Sequence, residues 1–114
     1  MSTAEYESPV NERVKVLLWC RYGDAEQLRD AERRFDQIGE VLRGTPGLTG
    51  SQLLISAQYP GSFAVLSEWA SLTAFRTWEQ GGEHRSQTAG MRPFQDPDRT
   101  PGFDVLEVIR VSGA

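Results

Sequence analysis

At 114 residues, with 39% hydrophobic and 25% charged side chains, 11 Gly and 6 Pro, the chain can build one core and one small-molecule pocket but not two domains. Sixteen acids against twelve bases leave a formal charge of −4 and a pI near 5.0, the wrong sign for affinity built on phosphate neutralisation, so no nucleic-acid partner is expected. The single Cys20 cannot close an internal disulfide, and neither it nor the lone His84 falls in a metal-ligand spacing, so no metal site is expected either.

Residues 1–12 are polar, lack periodicity and read as a disordered tail. They carry acids where a secretion signal carries bases, which points to a cytoplasmic protein. The longest apolar run, Val16 to Cys20, is far below the roughly 20 residues a membrane span needs, so no membrane partner is expected. The domain is expected over residues 13–111, with 112–114 a second tail. Its first strand starts at Val14, where VKVLLWCRY places Val14, Val16, Leu18, Cys20 and Tyr22 on one face and Lys15, Leu17, Trp19 and Arg21 on the other. Apolar residues on both faces predict a strand covered on both sides.

Asp24 with Gln27 forms a capping-box pattern, and Leu28, Ala31, Phe35, Ile38 and Leu42 follow at helical spacing. That helix should end near Gly44, before Pro46. A second strand runs from Gly47 through Ile55, Tyr59 to Ser62 form a hairpin turn, and a third strand carries Phe63, Val65, Ser67 and Trp69 on one face. Ser71 caps a second helix, LTAFRTWEQ, which Gly81-Gly82 interrupts; a further helical turn starts at Glu83 and ends before Pro93. After a loop from Gln95 to Gly102, Phe103 to Val111 alternate as the last strand. The order β-α-β-β-α-β predicts the α+β, ferredoxin-like fold: a four-stranded antiparallel sheet with both helices on one face. The row Leu17, Trp19, Leu106 and Val108 then points away from the helices, and a homodimer packed sheet to sheet would cover it.

Glu68-Trp69, Ala74-Phe75, Trp78 and Glu83-His84-Arg85, with the closing strand FDVLEVI, resemble the antibiotic biosynthesis monooxygenase family, a branch of the dimeric α+β barrels. The resemblance covers about Val14 to Val111 and implies a dimeric barrel. It also implies one of several activities: cofactor-independent oxidation of anthrones to quinones in polyketide pathways, heme degradation or quinol oxidation. Residue by residue, the anthrone oxygenases match at Trp69, but their Asn four residues earlier is Val65 here and their Tyr six residues later is Phe75, so two hydrogen-bonding groups of that constellation are absent. The heme degraders' Trp matches Trp78, whereas their first-strand Asn falls near Val16 and their axial His at Thr88; His84 lies only six residues after Trp78.

The candidate site residues each carry two readings. Trp69, Phe75 and Trp78, with Val65, form either a wall on which a flat aromatic substrate stacks or plain core. His84 is either a general base that takes a phenol or enol proton near neutral pH or a surface residue. Arg85 and Arg92 either hold the resulting anion or are solvated helix charges. Glu68 and Glu107 read as partners of Arg110 or Arg21 in a dimer interface, and Cys20 as a small buried apolar residue. The expected function is cofactor-independent monooxygenation of a phenolic or polycyclic, anthrone- or hydroquinone-like small molecule of polyketide or other secondary metabolism. His84 and Arg85 are the catalytic candidates, Trp69, Phe75, Trp78, Val65 and Arg92 the substrate-binding ones, and neither metal nor cofactor is involved. The alternatives are a non-redox cyclase or isomerase of a polyketide-like intermediate and a non-catalytic accessory binding subunit.

Overall fold

The structure, a computed structural model, describes residues 13–113; the tail expected over residues 1–12, and Ala114, lie outside the described residues. The β-branched and aromatic run forms β1, Val14–Arg21, with Val14, Val16 and Cys20 buried. Asp24 then starts α1, Ala25–Leu42: its carboxylate accepts the Gln27 N–H at 2.8 Å, while the Gln27 side chain reaches back to the Gly23 N–H. The apolar stripe turns Ala31 fully inward. Gly44, at φ +82°, then lets the chain turn away.

Strands β2, Leu48–Ile55, and β3, Ser62–Trp69, form a hairpin closed by the Ser62 N–H on the Tyr59 carbonyl at 3.1 Å. The Ser71 hydroxyl accepts the Ala74 N–H at 3.0 Å and so caps α2, Leu72–Gln80. Past Gly81-Gly82 come a single turn, α3, His84–Gln87, and a 3₁₀ helix, Ala89–Phe94. The helical turn was expected to stop before Pro93, but the 3₁₀ helix runs through it. Proline's fixed φ suits that geometry, and the Gln95 N–H closes the turn on the Arg92 carbonyl. The last strand is also shorter than the alternation predicts: β4 is Phe103–Glu107, not Phe103 to Val111. Its ladder ends where β1 begins, with Glu107 opposite Val14, and Val108 adds one bond to the Arg13 carbonyl at 2.8 Å.

The strands lie in the order β2-β3-β1-β4, each antiparallel to its neighbours, which is the ferredoxin-like α+β arrangement. Helices cover one face. The core beneath them falls into two clusters, one of Cys20, Ala31, Phe63, Met91 and Phe94, the other of Val14, Val16, Trp69 and Phe75. On the opposite face Lys15 meets Glu68 at 3.7 Å, and Arg21 meets Asp96 at 3.2 Å and Asp98 at 2.8 Å, so within the chain neither Glu68 nor Arg21 takes the partner expected for it. The row expected to be open is partly covered by the chain itself. The Arg99 guanidinium lies 4.0 Å over the Trp19 ring, whose Nε1 donates to Asp104 at 2.8 Å. Leu66 is buried, and Leu54 and Leu106 remain exposed.

Candidate functional site

Between the helices and the inner face of the sheet lies a cavity of about 790 Å³. Its floor is the alternating inward row of the strands: Val16 and Leu18 on β1, Val65, Ser67 and Trp69 on β3, Leu48 and Ser51 on β2 and Phe103 on β4. Its other walls are Phe35, Ile38 and Leu42 of α1, Phe75 and Trp78 of α2, and His84 and Arg85 of α3 with Met91 and Arg92 behind them. All seven residues singled out in the sequence therefore border one space: Val65, Trp69, Phe75, Trp78, His84, Arg85 and Arg92. They converge because β3 delivers Trp69 at the point where the chain enters α2, and the Gly81-Gly82 break folds α3 back over the same end of the sheet.

The aromatic residues form one continuous assembly. Trp69 and Trp78 have ring centroids 5.2 Å apart at a tilt of 34°, and Phe75 meets them at 5.6 and 6.2 Å. Both indole N–H groups are engaged, Trp69 Nε1 to the Ser67 hydroxyl at 3.0 Å and Trp78 Nε1 to Gln87 Oε1 at 3.0 Å, which fixes the ring planes. Trp69 and Phe75 are buried and pack in the core cluster at the edge of the cavity. The His84 ring stands edge-on to Trp78 with centroids 5.3 Å apart, on the cavity wall and half-buried. Its carbonyl anchors α3 by accepting both the N–H of Thr88 at 3.1 Å and its hydroxyl at 2.8 Å.

Arg85 and Arg92 are exposed at the cavity margin, and Arg92 Nη2 donates to the Arg85 carbonyl at 2.8 Å, which holds the two side by side. Glu79, also on the wall, is paired with Arg76 at 3.0 Å. The ionisable wall groups are thus one imidazole, the guanidinium groups of Arg43, Arg85 and Arg92, and the paired carboxylate of Glu79. Cys20 lies apart from them, 1% exposed, and burial pushes its thiol up to about 12, with the Asp96 carboxylate adding to the effect, so it stays a neutral core residue. Among the described residues no group of three or more His, Cys, Asp or Glu side chains is placed to hold a metal ion, and no helix is long and apolar enough to cross a membrane.

Sequence reasoning passed over Ser51, Ser67 and the α1 side chains as wall residues. The α1 stripe was legible only as core, but Ser67 was marked by being the one polar member of the row Phe63, Val65, Ser67, Trp69.

No curated protein matches the chain. Among solved structures it is similar to SnoaB of Streptomyces nogalater, described as a cofactor-independent oxygenase, at 15% identity and TM-score 0.67, covering 90% of this chain and 97% of that one. It is also similar to the heme-degrading protein Rv3592 of Mycobacterium tuberculosis, at 22% identity and TM-score 0.61, covering 91% and 100%, and to a conserved protein of Methanosarcina mazei, at 9% identity and TM-score 0.64, covering 89% and 95%. These likenesses are of fold. The model of the antibiotic biosynthesis monooxygenase family matches residues 21–87, more than half of the chain and the part that carries the aromatic wall, His84 and Arg85; the chain belongs to that family.

Proposed function

We propose that the chain is a cofactor-independent monooxygenase that oxidises a phenolic or polycyclic, anthrone- or hydroquinone-like intermediate of polyketide or other secondary metabolism. The observation that carries this reading is the cavity of about 790 Å³, in which a stacked aromatic wall, one imidazole and the side chains of Arg85 and Arg92 border the same space. A flat substrate lies along Trp69 and Trp78, and His84 takes its acidic proton. The anion, held by Arg85 or Arg92 in a largely apolar cavity, passes electrons to dioxygen. For an anthrone the balance is one O₂ consumed: the methylene carbon loses two hydrogens and gains one oxygen as a carbonyl, and the second oxygen leaves as water.

His84 is the single imidazole and stands edge-on to Trp78, so the reading assigns it proton transfer rather than iron ligation. SnoaB, described as a cofactor-independent oxygenase, shares the fold and supports the same direction. Val65 and Phe75 stand where the resembling anthrone oxygenases carry an Asn and a Tyr, and the loss of those two hydrogen-bonding groups favours a second reading, a cyclase or isomerase using His84 alone. The test is oxygen uptake with an anthrone by protein stripped of metal and flavin. The proposal expects one O₂ per anthrone and loss of turnover in His84→Ala. Product formed equally well without dioxygen would establish the cyclase or isomerase, and no turnover with tight substrate binding would leave an accessory binding subunit.

For assembly, we propose a homodimer that packs sheet to sheet over Leu17, Leu54 and Leu106, which share the face opposite the helices. Covering even about 800 Å² of apolar surface there contributes on the order of 20 kcal/mol before association and ordering costs.

A further inference from the structure

The cavity floor is apolar except at Thr49, whose hydroxyl is spent on the Glu68 carbonyl at 3.1 Å, and at a facing pair of serines. Ser67 on β3 stands directly across from Ser51 on β2 and from Val16 on β1, and both serines line the cavity. An indole N–H can only donate, so the 3.0 Å contact between Trp69 Nε1 and Ser67 Oγ uses a lone pair of the hydroxyl and leaves its proton unspent. Among the described residues Ser67 Oγ accepts from Trp69 and donates to none. A half-buried hydroxyl on this floor, held in place by the wall tryptophan, therefore has a donor to spare at the cavity surface.

Building on the reading of the cavity as the substrate site, we propose that Ser67 determines specificity by donating a hydrogen bond to a carbonyl or phenolate oxygen on the sheet side of the substrate. The substrate class is thereby narrowed to planar aromatics that carry an acceptor oxygen within the ring system, with any anionic substituent at the Arg85–Arg92 margin. A ring system of the same outline without that oxygen forgoes this hydrogen bond and gains nothing from Ser67. Because Ser67 also orients Trp69, its contact couples the position of the stacking wall to the oxygen it recognises.

The test compares two probes of equal outline, anthraquinone-2-sulfonate and anthracene-2-sulfonate, binding to wild type and to Ser67→Ala by calorimetry, which is insensitive to the changed emission of Trp69. The sulfonate is common to both, so its contacts cancel, and binding of the anthracene also reports that the variant is folded. The expected result is that Ser67→Ala weakens anthraquinone-2-sulfonate about tenfold, the size of one hydrogen bond, and leaves anthracene-2-sulfonate within about twofold. An equal loss for both probes would show that Ser67 acts only through Trp69, and no loss for either would show that the hydroxyl does not reach the ligand; each overturns the proposal. If neither probe binds wild type, the reading of the cavity fails and the role of Ser67 falls with it.

Discussion

Replacing Trp78 by Phe removes the side-chain hydrogen bond that ties α2 to α3 and weakens the aromatic contact beside it. Helix α3 has four residues and no side-chain hydrogen bond at its N-terminus, so it cannot persist on its own backbone bonds. Trp78 supports it twice, through Nε1 to Gln87 Oε1 at 3.0 Å and through the edge-on contact with His84 at 5.3 Å. The hydrogen bond contributes about 1 kcal/mol net and the aromatic contact, weakened rather than abolished by Phe, about 0.5 kcal/mol, which together lower Tm by roughly 6–12 °C in a domain of this size. A cycle of Trp78→Phe, Gln87→Leu and the double variant, followed by urea denaturation, isolates the bond and should give a coupling of about 1 kcal/mol. In the proposed reaction kcat should fall about 100-fold, because His84 loses its fixed position while the stacking surface largely remains. A coupling below about 0.3 kcal/mol, within the error of additivity, would refute the claim that this bond holds α3 in place.

Gly47 and Gly44 share φ +82°, but a Cβ at Gly47 would collide with the Ala74 Cβ of α2, whereas one at Gly44 meets nothing within 4 Å. Gly44→Ala should therefore cost about 1–2 kcal/mol from backbone strain alone and Gly47→Ala about 2–4 kcal/mol, read by urea denaturation; equal costs would contradict the close approach of the Gly47 turn to Ala74 of α2. The Cys20 thiol releases its proton near 9.0 when unfolded and only near 12 when folded, so above about pH 9 the unfolded state binds fewer protons and stability falls by about 1.4 kcal/mol per pH unit from this group. Below that pH the group contributes no slope. Denaturation of wild type and Cys20→Ala from about pH 8 to 10.5 should show the extra slope only in wild type, and parallel curves would mean that the thiol is not held protonated. Light scattering coupled to gel filtration should give the mass of two chains at micromolar concentration and of one chain for Leu106→Arg, whose side chain is 51% exposed on the outer face. A single-chain mass for wild type would refute the sheet-to-sheet dimer.

The parts of the fold that read directly from sequence are those in which one local pattern decides. Asp24 with Gln27, Ser71 before an apolar run, and Gly44 ahead of Pro46 each satisfy or end a helix by their own chemistry, and each lies where the structure uses it. The end of β4 was not legible, because Val108 to Val111 keep the alternation of a strand and only the start of β1 decides where pairing stops. Pro93 misled for a similar reason: it breaks an α-helix, yet the chain passes through it as a 3₁₀ turn, and nothing local distinguishes the two. Within the site, Trp69, Phe75, Trp78, His84 and Arg85 were candidates through the family resemblance, because spacing alone left each of them equally readable as core or surface. The Trp78–Gln87 bond and the cover that Arg99 gives Trp19 depend on side chains brought together across loops.

The origin of the new oxygen tests the central claim most directly. With metal- and flavin-free protein, an anthrone and ¹⁸O₂, followed by rapid extraction and mass spectrometry, the account predicts a quinone that carries one ¹⁸O atom, with labelled water as co-product and His84→Ala reduced to the buffer rate. A product that carries no label, or that forms at the same rate when dioxygen is excluded, would contradict it.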